Sequence, residues 1–201
     1  MTQRATDGGG DAPSAPIRSS RLDLIPMSRA FLEATVAGDL VTAGAVLGAE
    51  VPDVWLAATD LAALRLGQMT DADLEPWLLR AIVARATGSM VGHIGFHGPP
   101  GMAHLDAWLP GAAEFGFTVF EDHRRLGYAR EASVALMDWA TDVHGVTDFV
   151  LTIAPGNTAS QTLAAGLGFR RLGSWDDPDD GPEDILGLTR RVLQDERWLT
   201  Q

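Results

Sequence analysis

A carboxylate, two arginines and a glycine share one run, Glu114 to Ala132, which reads EFGFTVFEDHRRLGYAREA. Glu114 to Phe120 is apolar, aromatic and β-branched, the composition of a strand. Glu121 to Leu126 is short, charged and turn-like. From Gly127 onward Ala129, Ala132, Val134, Ala135, Leu136 and Trp139 take helical spacing, broken by Arg130, Glu131 and Asp138. The run therefore predicts a strand, a glycine-containing loop and a helix start. The first N–H groups of a helix have no partner within it, and its dipole adds partial positive charge there. Arg124 and Arg125 strengthen that field, so a phosphate-bearing ligand is expected at this point.

The rest of the chain must hold that run in place. Its 201 residues suffice for one domain with a sizeable core. Hydrophobic residues make up 46% and charged residues 21%, as in soluble globular proteins. No apolar run approaches the roughly 20 residues that span a bilayer. The first residues lack the apolar segment of a signal peptide. The chain has no cysteine, which excludes disulfides, thiolate metal sites and a cysteine nucleophile, and fits a cytoplasmic location. The formal net charge of −12 argues against nucleic acid as a partner. An acidic surface is compatible with a cationic substrate such as an amine, or simply with solubility.

Read in order, residues 1–20 are polar and Gly/Pro-rich, and are expected to form a disordered tail. Arg21 to Pro26 (RLDLIP) alternates as an edge strand would. Ser28 can cap a helix over Arg29 to Ala37 that Gly38 ends, and Asp39 to Leu47 predicts a second helix ended by Gly48. Val54 to about Leu66 is helical, and Asp71 to Glu75 is a polar link. Nothing in this first third has catalytic spacing, so its expected part is to pack and to shape one wall of a cleft. Trp77 to Ala86 and Met90 to His97 predict a hairpin turned at Thr87-Gly88-Ser89, with helix as the competing reading of the first arm. Gly98 to Ala113 is a loop. After the opening run, whose helix extends to His144 and Gly145, come a strand at Asp148 to Ile153, a loop at Ala154 to Asn157 and a short helix at Thr158 to Leu167. Strands are expected at Phe169 to Trp175 and at Ile185 to Leu193. Between them lies the loop Asp176 to Asp184, with five Asp and one Glu. Strand–helix–strand units with short links imply a mixed sheet covered by helices.

Arg124-Arg125-Leu126-Gly127-Tyr128-Ala129 matches the (Q/R)-x-x-G-x-(G/A) signature that opens a helix in the GNAT superfamily of acyl-CoA-dependent N-acyltransferases. Asn157-Thr158-Ala159-Ser160, then Leu163, Gly166, Gly168 and Phe169, resembles a second block of the subgroup that acetylates ribosomal-protein N-termini. Gly127 to Ala132 (GYAREA) and RLDLIP resemble that subgroup too. The resemblance spans about Arg21 to Arg191. It implies an α+β fold: a twisted, mostly antiparallel mixed sheet of about six or seven strands, flanked by helices and splayed between its central strands. A single domain over 21–194 would follow the tail, with a second tail at 195–201.

The resemblance also implies a role for each residue. The coenzyme A diphosphate would rest on the backbone from Arg125 to Arg130, with Arg124 beside it. Gly127 and Ala129 are small enough for close approach, with Leu126 and Tyr128 between them. The pantetheine arm would pair with the backbone of Thr118 and Val119. Asn157 would bind the pantetheine or orient the acyl end. Ser160 would protonate the leaving thiolate, since the one tyrosine, Tyr128, stands in the phosphate loop. A neutral amine would attack acetyl-CoA directly, which needs a base. Glu114 is the first candidate; a solvated strand-start carboxylate is the plain alternative. His93 and His97 follow, and His104 and Asp106 lie in a loop that could cover the acceptor. Trp108 could line its pocket, and the acidic 176–184 loop could attract a cationic acceptor. The acceptor is expected to be a protein N-terminus or a small amine, and no metal is expected. Dimers are common in folds of this type, so a homodimer is compatible. A non-catalytic acyl-CoA-binding or regulatory module is the alternative function.

Overall fold

The computed structural model describes residues 15–69, 74, 77–177 and 181–190. Strands β1 (Ile17–Arg18) and β2 (Leu22–Pro26) lead into three helices. Helix α1 (Arg29–Val36) starts where the Ser28 hydroxyl accepts from Phe31 N, as its sequence predicts. Helix α2 (Leu40–Leu47) starts on the Asp39 carboxylate and stops at Gly48 in the left-handed conformation. A 3₁₀ turn (Asp53–Ala58) then feeds α3 (Thr59–Gln68).

The hairpin follows as β3 (Leu79–Ala84) and β4 (Ser89–Phe96). The helix alternative for the first arm fails because β3 is buried on both faces. Ile82 and Ala84 enter one core, and Leu79, Ala81 and Val83 the other. Beyond it come β5 (Ala113–Val119), α4 (Tyr128–His144), β6 (Asp148–Ile153), α5 (Thr158–Leu167), β7 (Arg170–Asp177) and β8 (Gly181–Thr189).

The sheet has eight strands in the order β1-β2-β3-β4-β5-β6-β8-β7. All pairings are antiparallel except β5 with β6. That parallel pair is joined only at Ala113↔Phe149 and Glu114↔Val150. Past these residues the two strands part, giving the expected splay. Helices α4 and α5 cover one face through Ala132, Leu136, Ala140 and Ala164. Helices α1 to α3 cover the β3–β4 half of the other through Phe31, Leu32, Leu47 and Ala62. The 98–112 loop packs beside β6 and β8 through Leu105, Ala112, Val150 and Ile185.

Two expected boundaries move. Order begins before Arg21, because Ile17 pairs with Leu24 and is buried in the main core, and because Glu131 gathers Ser19, Ser20 and Arg21. The acidic loop shrinks to a hairpin tip. Asp176 pairs with Pro182, Trp175 with Glu183 and Ser174 with Asp184. Asp184 is already held by Arg171 at 2.7 Å and by the Gln161 amide at 3.2 Å. The rest of the expected tails, most of the 71–75 link and residues 178–180 lie outside the described residues.

Candidate active site

Strands β4 and β5 set the site through their register: Gly95 lies opposite Gly116 and His93 opposite Thr118. His97 N donates to Glu114 O at 2.9 Å and extends the same ladder. Side chains alternate along a strand. Ile94, Phe96, Phe115 and Val119 enter the core under α4. His93, His97, Glu114 and Thr118 therefore share the opposite face, with two glycines between them.

Glu114 is 3% exposed, not a solvated strand start. Its Oε1 accepts from Thr152 Oγ1 at 2.6 Å and lies 3.3 Å from His97 Nδ1. Its Oε2 accepts from His104 Nε2 at 2.8 Å. Burial by itself would raise its pKa. The contacts with His97, Thr152 and His104 outweigh burial and hold it at about 2. A carboxylate so stabilised is a poor proton acceptor and a good anchor for an imidazole.

His97 presents Nδ1 to that anchor, which leaves Nε2 as the lone-pair nitrogen. This nitrogen faces the floor of the site. A Cβ added at Gly116 would stand 3.0 Å from it. Around it lies a cavity of about 230 Å³ lined by Leu61, Arg65, Leu79, His93, His97, Gly116 and Thr118 among others. His93 stands edge-on to Trp55, and burial, with help from Arg65, lowers its pKa to about 4. It is a neutral packing residue near neutrality.

The turn into α4 forms where the sequence predicts. Arg125 takes φ 59° and Gly127 φ 82°, so the chain turns through two left-handed residues into α4. No side chain caps this helix start. Arg130 reaches the end of α5 through Gly166 O at 2.8 Å. Leu126 O is held by Arg21 Nη1 at 3.0 Å, and the Arg21 guanidinium lies 4.8 Å from the Tyr128 ring centre. Ala129 packs against the main core one residue on.

One pairing expectation is corrected. Because Glu114 O and Phe120 N bond β4, alternation turns the backbone of Thr118 toward β4 as well. The open edge belongs to Phe117 and Val119, and Arg124 Nε donates to Val119 O at 3.1 Å. On the far side Asn157 caps α5 by accepting from Ser160 N at 3.2 Å. The Ser160 hydroxyl makes no hydrogen bond among the described residues.

The structure thus brings Glu114, His97 and His104 together and keeps His93 in the packing. Trp108 does not line the cavity. It lies against Gly173 and packs with the 98–112 loop. Asp106 is exposed and makes no contact with Glu114. Sequence reading missed Thr152, Arg65 and Arg21. None carries a local signal: Thr152 sits in an ordinary strand pattern and Arg65 in an ordinary helix. Among the described residues no group of three or more His, Cys, Asp or Glu is arranged to hold a metal. No described helix is long and apolar enough to cross a membrane.

A family profile described as an acetyltransferase (GNAT) domain matches residues 27–170. No curated protein matches the chain. Among solved structures, a protein assigned to the GnaT-family acetyltransferases of Bordetella pertussis is 22% identical, with TM-score 0.61, over 87% of this chain and 99% of that one. The ribosomal L7/L12 α-N-protein acetyltransferase RimL, solved with coenzyme A, is 14% identical with TM-score 0.60, over 87% and 98%. The ribosomal-protein-S5-alanine acetyltransferase of Vibrio fischeri is 11% identical with TM-score 0.59, over 90% and 100%. At these identities the likeness to solved structures is one of fold.

Proposed function

The chain belongs to the GNAT acetyltransferase family and is an acyl-CoA-dependent N-acetyltransferase, and from that premise we propose that it acetylates a primary amine, with His97 as the base and Glu114 as its anchor. The observation that carries this reading is the His97–Glu114 pair, 3.3 Å apart, at the rim of the cavity and beside the last β5–β6 pairing.

Acetyl-CoA supplies an activated acyl group as a thioester. The residues present fit it as cosubstrate. The splayed edge offers the backbone of Phe117 and Val119, the start of α4 offers uncapped N–H groups from Tyr128 to Arg130, and Arg124 and Arg125 flank them. Glu114 fixes the His97 ring with Nδ1–H toward itself, so Nε2 can take a proton. The acceptor amine forms the new C–N bond while the C–S bond breaks. The proton lost from nitrogen goes to His97 Nε2, and the departing thiolate takes one from the Ser160 hydroxyl or from water. Asn157, its oxygen engaged with Ser160 N, keeps its amide N–H groups for the pantetheine.

Thiol release from acetyl-CoA with a panel of amines tests the reading. Turnover with at least one amine, lost in His97→Gln while coenzyme A still raises the melting temperature, supports it. Undiminished turnover in that variant overturns the assignment of the base.

A further inference from the structure

Arg65 is 7% exposed and stands on α3 against the cavity. Its Nη1 donates to Gln68 Oε1 at 2.8 Å and reaches His97 O at 3.4 Å. Its Nε has no hydrogen-bond partner, and no carboxylate pairs with it among the described residues. The chain carries 27 acidic side chains against 15 lysines and arginines, yet among the described residues no Asp or Glu lines the cavity. An arginine buried without a counter-charge destabilises a fold. Such departures from good packing are expected at functional sites.

We propose that Arg65 is the specificity residue of this site and that the acceptor is a small amine carrying a carboxylate, its amine at His97 and its acid group at Arg65. This rests on the cavity being the acceptor site of the proposed acetyltransferase. Size agrees with the charge. About 230 Å³ falls below the roughly 300–1,000 Å³ typical of sites for drug-sized ligands, so the cavity suits a molecule on the scale of one amino acid. The walls are Leu61 and Leu79, with Gly95 and Gly116 in the floor. A guanidinium offers a carboxylate two parallel N–H donors, which gives recognition by shape as well as charge. His93, the other polar ring in the lining, is neutral near neutrality and does not compete for the anion. Arg65 and His97 line the same small cavity, so the amine and the acid of the acceptor must fit within it together.

The test is a matched panel with the full chain and acetyl-CoA: free amino acids, their amides, and short peptides beginning with Asp or with Ala. Free amino acids are expected to exceed their amides at least tenfold in kcat/KM. Preference for the Asp-first peptide over the Ala-first one, with poor free amino acids, would place the carboxylate on a peptide N-terminus and overturn the small-acceptor assignment. Arg65→Gln should raise the acceptor KM tenfold or more for carboxylate acceptors, cost the amides far less, and leave the melting shift with coenzyme A intact. Arg65→Lys should recover part of the loss. Calorimetric titration of the amino acid into the coenzyme A complex should lose its binding signal in Arg65→Gln. Equal use of acids and amides by the native chain overturns the proposal and spares the acetyltransferase reading. No acetylation of any amine overturns both.

Discussion

Glu114 spans the point where β5 and β6 part, accepting a hydrogen bond from the Thr152 hydroxyl at 2.6 Å although its strand partner on β6 is Val150. The bond carries the β5 carboxylate onto the neighbouring strand at the apex of the cleft. With His97 and His104 also on it, Glu114 has little capacity left to act as a base itself. It binds together β5, β6, the end of β4 and the 98–112 loop, and so fixes the ring that can do the proton transfer.

Removing the negative charge at that apex should therefore act through His97. Glu114→Gln is expected to lower kcat by about 10- to 100-fold, the range seen when the partner that orients a metal-ligating histidine is lost. His97→Gln should cost more, about 10²- to 10⁴-fold, as for a general base. Coenzyme A affinity should hold in both. The relative size of the two losses decides the roles: if Glu114→Gln costs more turnover than His97→Gln, the roles are reversed.

Access to His97 Nε2 depends on a missing side chain. A Cβ at Gly116 would stand 3.0 Å from that nitrogen. Gly116 does not take a positive φ, so alanine fits the backbone there and the fold should be little affected. Gly116→Ala is expected to raise the acceptor KM and lower kcat together, by about tenfold for ~1.4 kcal/mol of lost transition-state stabilisation. The melting shift with coenzyme A should not change. Native kinetics in this variant would mean that the acceptor does not approach across β5.

Most of the fold was legible in the sequence because its elements are punctuated locally. Ser28, Asp39 and Asn157 cap their helices, and Gly48, Gly145 and Gly168 end theirs in the left-handed conformation. The turn into α4 was legible for the same reason, since its shape is a property of consecutive residues. The acceptor side was not. It brings Arg65 from α3, His97 from the end of β4, Glu114 from β5 and Thr152 from β6, and no spacing along the chain encodes a meeting of four separate elements. Sequence named Glu114 but could not show that two histidines and a threonine hold its charge. It also missed β1, because one buried isoleucine in a polar stretch gives no periodic pattern.

The loop proposed to hold the diphosphate makes a separate prediction. Gly127 sits at φ 82° at the start of α4, where an L side chain is strained by about 1–2 kcal/mol. Gly127→Val should destabilise the fold by about that amount and also crowd the uncapped N–H groups. Its melting temperature in buffer should fall by a few degrees, and the further rise on adding coenzyme A should vanish. A preserved rise would remove the diphosphate from this loop.

Acid should act on the fold in two steps. The buried His93 titrates at about 4 in the folded chain, below the ordinary histidine value of 6.5. Between those values the unfolded chain binds the extra proton, so stability present above pH 6.5 is lost as pH falls toward 4. At about 1.4 kcal/mol per unit, the loss is on the order of 3 kcal/mol. Glu114 and Glu131, both held at about 2, add a second loss as pH falls from about 4.5 to about 2. Denaturant unfolding from pH 7 to pH 3 should show both slopes, and His93→Gln should flatten only the first. A first slope unchanged in that variant assigns it to another group.

Glu131 ties the N-terminal segment to the loop that enters α4. Its carboxylate accepts from Ser19 Oγ, Ser20 Oγ, Arg21 N and Arg21 Nε at 2.6–2.9 Å. The same Arg21 holds Leu126 O, one residue before Gly127. Glu131→Ala removes acceptors from four donors at once. A loss of about 1–3 kcal/mol in unfolding free energy is expected, since several of these donors can turn to water instead. Freed from Glu131, Arg21 should hold Leu126 O less firmly, and the loop should lose part of its preset shape. Coenzyme A affinity should then fall several-fold, while the ratio of amino-acid to amide turnover stays as in the native chain. Arg21→Ala should reproduce the loss of affinity with a smaller loss of stability, because the two serines still hold Glu131. If Glu131→Ala weakens the fold but leaves coenzyme A affinity untouched, the segment stabilises the domain without shaping the loop.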